Sequence, residues 1–111
     1  QVPTLLTTND FVCYVEAKDR YYYLQFMNDG TGYVYTLDGE IVSWLGYFNY
    51  SISGYEITIS DTTSIVGDVF YSVDGKFIVS QNGIEITGTI YYGSGSNEKT
   101  DAVFAKTTRH E

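Results

Sequence analysis

Apolar and polar positions alternate along this chain in short runs. Gly-centred polar signals interrupt the runs at Asn28-Asp29-Gly30-Thr31-Gly32, Asp38-Gly39, Ser53-Gly54, Asp74-Gly75, Asn82-Gly83 and Gly93-Ser94-Gly95-Ser96-Asn97. Asn-Gly and Asp-Gly reach the positive φ of tight turns at little cost, so the runs they separate pair antiparallel with their neighbours in chain order. The pattern predicts strands over 11–15, 20–27, 33–37, 41–52, 55–60, 65–73, 76–80, 84–92 and 102–106. No window sustains an i, i+3, i+4 repeat, so no long helix is expected.

Within these runs the period of two assigns faces. Tyr22, Leu24 and Phe26 fall on one side, placed in the core, and Tyr21, Tyr23 and Gln25 on the other. Over the long run 41–52 the alternation sets Val42, Trp44, Phe48, Tyr50 and Ile52 on one face with Gly46 among them, a Gly that signals a bend, a bulge or a close backbone approach. Tyr50-Ser51-Ile52-Ser53-Gly54 recurs as Tyr71-Ser72-Val73-Asp74-Gly75, and each copy reads as the corner of a hairpin. A meander of about eight strands with that design closes on itself or exposes edges that invite aggregation, and closure is the expectation. An eight-stranded barrel is filled by side chains or holds one small ligand.

The hairpin Tyr22-Tyr23-Leu24-Gln25-Phe26-Met27-Asn28-Asp29-Gly30-Thr31-Gly32 resembles the aromatic-x-Leu-x-Phe-x-x-Asp-Gly-x-Gly hairpin of small secreted lipocalin-like (META/calycin-type) domains of gut bacteria. Residues 48–59 and 71–75 look like the hairpins that follow, and Ala102-Val103-Phe104-Ala105-Lys106 is similar to the closing strand. Such domains often begin with a Gly-x-Trp strand, which Phe11 to Val15 lacks. The resemblance covers most of 20–106 and implies an all-β antiparallel meander forming a small lipocalin-like barrel. It also implies an extracytoplasmic place, in the periplasm or as an outer-membrane-anchored lipoprotein, and carries no catalytic residues. The start at Gln1-Val2-Pro3 is consistent with a mature chain from which a signal or anchor segment has been removed. The expected organisation is a lead-in over 1–9, one barrel domain over 10–107 and a polar tail over 108–111.

Composition narrows the function. Tyr at 12 and Phe at 6 against one Pro, in 111 residues that are 43% hydrophobic, favour one strand-built domain. Fourteen acidic against six scattered basic residues give a net charge of −8, which argues against nucleic acid and anionic membranes as partners. No run is long enough to cross a bilayer as a helix. Cys13 stands alone and reads as a small buried hydrophobe. His110, the one imidazole, lies at the end of the chain, so neither a nucleophilic triad nor a metal set is expected. Asp and Asn at 28, 29, 38 and 74 are explained by turn chemistry and not by calcium. Glu56 and Glu85 lie at matching points of two strands and read as solvated carboxylates.

The expectation is therefore a monomeric, non-enzymatic binding domain without cofactor. In the first form it holds a small apolar ligand in a barrel lined by Phe26, Trp44, Phe48 and Tyr50. In the alternative it is a protein-interaction or structural module of a cell-surface lipoprotein, with a filled core. There the contacts are made by outward tyrosines among Tyr21, Tyr23, Tyr33, Tyr35, Tyr47, Tyr91 and Tyr92.

Overall fold

A computed structural model describes residues 2–16, 19–64, 69–72, 75–93 and 99–110. A short helix α1 (Val2–Thr8) leads into nine strands, β1 (Asn9–Val15), β2 (Arg20–Phe26), β3 (Thr31–Asp38), β4 (Ile41–Ser53), β5 (Glu56–Ser64), β6 (Val69–Ser72), β7 (Lys76–Val79), β8 (Glu85–Gly93) and β9 (Lys99–Thr108). Every pairing is antiparallel. The order runs β5-β4-β3-β2-β1-β9, then β9 to β8, β8 to β7 and β7 back to β5, which closes an eight-stranded barrel. Fold class and closure are as the turn cadence predicts. Gly30, Gly39, Gly54, Gly75 and Gly83 all adopt positive φ, the backbone state for which their turns select Gly.

The ninth strand shares a place with another. β6 and β7 are both antiparallel to β8, through Val69↔Gly93 to Ser72↔Ile90 and through Ile78↔Thr87 and Val79↔Ile86. They therefore run in one direction along one edge of β8, and residues 73 and 74 between them lie outside the described residues. The hairpin predicted at Tyr71 to Gly75 is thus corrected: Gly75 keeps its turn-like φ of 75° while its carbonyl accepts from Ile59 N at 2.7 Å across the β5 edge. Of the strand predicted over 65–73, residues 65–68 and 73 lie outside the described residues.

A second correction concerns β4. Val34 pairs with Gly46 but Tyr35 pairs with Trp44, so Leu45 is an extra residue opposite that step. One inserted residue reverses the side-chain phase of everything before it. Gly46, Phe48, Tyr50 and Ile52 point inward, Leu45 is buried at the bulge, and Trp44 and Val42 point outward. Gly46 did mark the irregularity; its effect on phase is what alternation alone misses.

The interior is built from rings. Phe26 meets Phe11, Phe48 and Tyr50 edge to face at centroid distances of 6.3, 5.7 and 5.0 Å, and Phe77 meets Phe104 at 5.6 Å. Edge-to-face contacts of this kind stabilise beyond the area they bury. Gly32 sits opposite Phe48 because a Cβ there would lie 2.3 Å from Phe48 Cζ. Tyr22, Leu24, Ile57, Ile86 and Ile90 are among the residues that pack around these rings in the same core. At the end of the barrel where β2 begins, Arg20 Nη2 donates to Thr36 Oγ1 at 2.9 Å, with the guanidinium 5.9 Å from the Tyr22 ring.

The lead-in is part of this core. Leu6 of α1 is fully buried, and Leu5 packs where a Cβ on Gly83 would stand. Seven residues are too few for a helix stable alone, so docking of Leu6 is what holds α1 together.

Cys13 faces inward on β1 and is buried. Burial pushes its thiol up from 9.0 to about 12, because a thiolate there would lose its hydration. The folded state then keeps the proton that the unfolded chain releases near pH 9, so this contribution to stability is complete below that pH and is lost as pH rises towards 12. Two results are expected: Cys13 stays unmodified by iodoacetamide at pH 8 until the chain is unfolded, and the urea midpoint falls between pH 9 and pH 11. Rapid labelling of the folded protein would contradict this.

Candidate functional site

Outward positions of β1 to β4 carry a continuous aromatic surface. The registers align Tyr14 with Tyr21, then Val12, Tyr23, Tyr35 and Trp44 in one row, and Gln25, Tyr33 and Tyr47 in the next. Neighbouring rings touch: Tyr14 and Tyr21 at 5.0 Å, Tyr23 stacked on Tyr35 at 4.9 Å, and Trp44 against Tyr35 at 5.1 Å and Tyr33 at 5.6 Å. Cross-strand pairs of this type stabilise a sheet, yet much of the surface remains open. Tyr21 is 58%, Tyr14 47%, Tyr47 45% and Trp44 38% exposed. A contiguous exposed apolar patch of this kind marks contact with something else more often than isolated apolar residues do.

A buried polar cluster anchors the patch from its lower edge. Asp10 points outward from β1 but is fully buried. Its Oδ2 accepts from the Tyr35 hydroxyl, from Gln25 Nε2 at 3.2 Å and from the His110 backbone N–H at 2.9 Å. Gln25 Nε2 also donates to the His110 carbonyl at 2.7 Å. Arg109 Nη1 lies 3.9 Å from Asp10 Oδ1 and donates to the Phe26 carbonyl at 3.0 Å, while Nη2 reaches Met27 Sδ at 3.1 Å. The C-terminal segment thus lies across the outer wall and covers a carboxylate that would otherwise meet water. Burial, and next the bond to Asp10, hold the Tyr35 phenol well above its usual range. Tyr35 is fixed at the centre of the patch by its hydroxyl below and by Tyr23 and Trp44 on its flanks.

The four residues expected to line a ligand cavity separate. Phe26 and Phe48 are buried inside and in contact, and Tyr50 is partly buried against Phe26 with its hydroxyl donating to the Met27 carbonyl at 2.7 Å. Trp44 stands outside, for the register reason given above. The outward tyrosines fare better: Tyr21, Tyr23, Tyr33, Tyr35 and Tyr47 come together on one outer face, while the side chains of Tyr91 and Tyr92 lie outside the described ones. Sequence reasoning missed Asp10, Gln25 and Arg109; the one available signal was a Gln among outward tyrosines on β2.

Glu56 and Glu85 are not brought into one cleft. β7 lies between their strands, and Glu56 takes Lys76 Nζ at 3.4 Å. Among the described residues no group of three His, Cys, Asp or Glu is placed to hold a metal, and no helix is long and apolar enough to cross a membrane. No protein-family model matches the chain, and no curated protein or solved structure is significantly similar to it.

Proposed function

We propose that this chain is a non-enzymatic extracytoplasmic interaction domain that makes its contacts through the aromatic outer face of β1 to β4, with the barrel as a filled support. The observation that carries this reading is the division of the aromatics. The rings of Phe11, Phe26, Phe48 and Tyr50 interlock inside, while Trp44, Tyr21 and Tyr47 are presented to solvent on one wall. Trp and Tyr offer a broad apolar face with a polar handle, and they dominate contact energies where partners meet. A wall of eight strands with a packed interior is rigid, so little ordering entropy opposes binding. The extracytoplasmic place rests on the likeness of the 22–32 and 48–59 hairpins to lipocalin-like secreted domains, and the chain acts as a monomer carrying no cofactor.

A native mass spectrum of freshly purified protein, set beside its denatured mass, tests the filled interior. The bare mass is expected. A reproducible excess of small-molecule size that survives Trp44→Ser but is lost in Phe48→Leu would overturn the reading in favour of a ligand carried inside the barrel.

A further inference from the structure

The partner of this face is a basic segment of another protein, rich in Arg or Lys, as we infer from the charge that borders the aromatic patch; this rests on the outer-face reading above. The β1–β2 and β3–β4 connections lie at the same end of the barrel and bring Glu16, Asp19, Asp38 and Glu40 to the rim beside Tyr14, Tyr21, Leu37 and Ile41, and all four acidic residues are exposed. Lys18, outside the described residues, and Arg20 are the basic residues of this end, so across the two connections and their flanks four acidic residues stand against two basic ones. The end of the patch is therefore negative, within a chain of net charge −8.

Open ring faces next to carboxylates suit a cation. A guanidinium or ammonium within about 6 Å of a Trp or Tyr ring is attracted by the ring quadrupole, and nearby carboxylates add a charge-assisted partner. Arg also stacks flat on such rings. A second copy of this chain is a poor occupant, since it would bring the same carboxylates against each other. A neutral saccharide would stack on the rings but gain nothing from the net charge of the rim. A basic segment uses both features, and the field of the acidic chain steers it in.

The test is fluorescence anisotropy of a fluorescein-labelled hepta-arginine peptide titrated with the full chain at low salt, with Trp44 emission followed in parallel on unlabelled peptide. The expected result is saturable binding that perturbs Trp44 emission and weakens as salt is raised. Both Trp44→Ser and the pair Asp38→Asn with Glu40→Gln should weaken it about tenfold or more. Val103→Ser, and the pair Glu85→Gln with Asp101→Asn, change exposed positions on the opposite wall and should leave affinity within about twofold. Far-UV circular dichroism confirms that each variant remains folded. Equal weakening by the two acidic pairs would overturn the inference by showing charge attraction with no site, as would absence of binding at low salt. Maltoheptaose perturbing Trp44 where hepta-arginine does not would also overturn it, yet leave the outer face as the binding surface. A small molecule found inside the barrel would instead remove the reading on which the inference rests.

Discussion

Phe26→Ala should cost about 3–5 kcal/mol of folding stability, the range for emptying a large buried aromatic site. Phe26 is the ring on which three others converge, from β1 through Phe11 and from β4 through Phe48 and Tyr50. Those neighbours are held by their own strands and cannot close over the gap, so the cavity term adds to the lost transfer term. For a domain of this size the total stability is about 5–15 kcal/mol, and the variant should be partly unfolded near 37 °C. Urea unfolding followed by circular dichroism measures the loss. A cost below about 1.5 kcal/mol would mean an interior loose enough to rearrange, which is the condition under which a barrel could admit a ligand.

Asp10→Ala should be comparably damaging, at about 3–5 kcal/mol, for a different reason. Removing the carboxylate strands the Tyr35 hydroxyl and the His110 N–H, leaves the Gln25 amide with the His110 carbonyl alone of its two acceptors, and takes away the carboxylate 3.9 Å from Arg109. Buried donors left without an acceptor cost more than the bonds they made contributed. Asp10→Asn keeps an acceptor oxygen and should cost less, about 1–3 kcal/mol. The same network predicts coupling: Tyr35→Phe and Asp10→Ala combined should lose clearly less than the sum of the two, because each removes the same contact. Strict additivity would contradict the cluster. Loss of Asp10 should also free Tyr35 beneath Trp44, so Trp44 emission should change even under conditions where the variant is folded.

Local chemistry made part of this fold legible. Asp29-Gly30, Asp38-Gly39 and Asn82-Gly83 demand positive φ whatever surrounds them, and β2 keeps an unbroken period of two, so the inward set Tyr22, Leu24 and Phe26 follows from spacing alone. β4 was not legible in the same way. A bulge at Leu45 is decided by how β3 and β4 close around the barrel, and a single extra residue moved Trp44 from the inner wall to the outer. The corner at Gly75 is similar: Tyr-Ser-aliphatic-x-Gly specifies a positive-φ position, but whether the chain then reverses or continues depends on β8, which pairs with both β6 and β7. Asp10 could not be read as buried, because its cover comes from Arg109 and His110 at the far end of the chain. Helix α1 likewise depends on a tertiary contact, the burial of Leu6, and no local pattern announces it.

These misses concern the site more than the scaffold. The aromatic face is assembled from four strands, and its membership follows from the registers that align Tyr23 with Tyr35 and Tyr35 with Trp44. Composition shows a surplus of tyrosine; only pairing shows that Tyr21, Tyr23, Tyr33, Tyr35 and Tyr47 gather on one wall, whose end carries four exposed carboxylates.

Acrylamide quenching of the single tryptophan tests the central claim most directly, because Trp44 is the residue whose side of the wall decides between an outer binding face and a lined cavity. Solvent-relaxed, red-shifted emission is the predicted result, with a quenching constant that is a substantial fraction of that in the urea-unfolded chain. Blue-shifted emission protected from acrylamide, as for a tryptophan inside a packed core, would contradict the account.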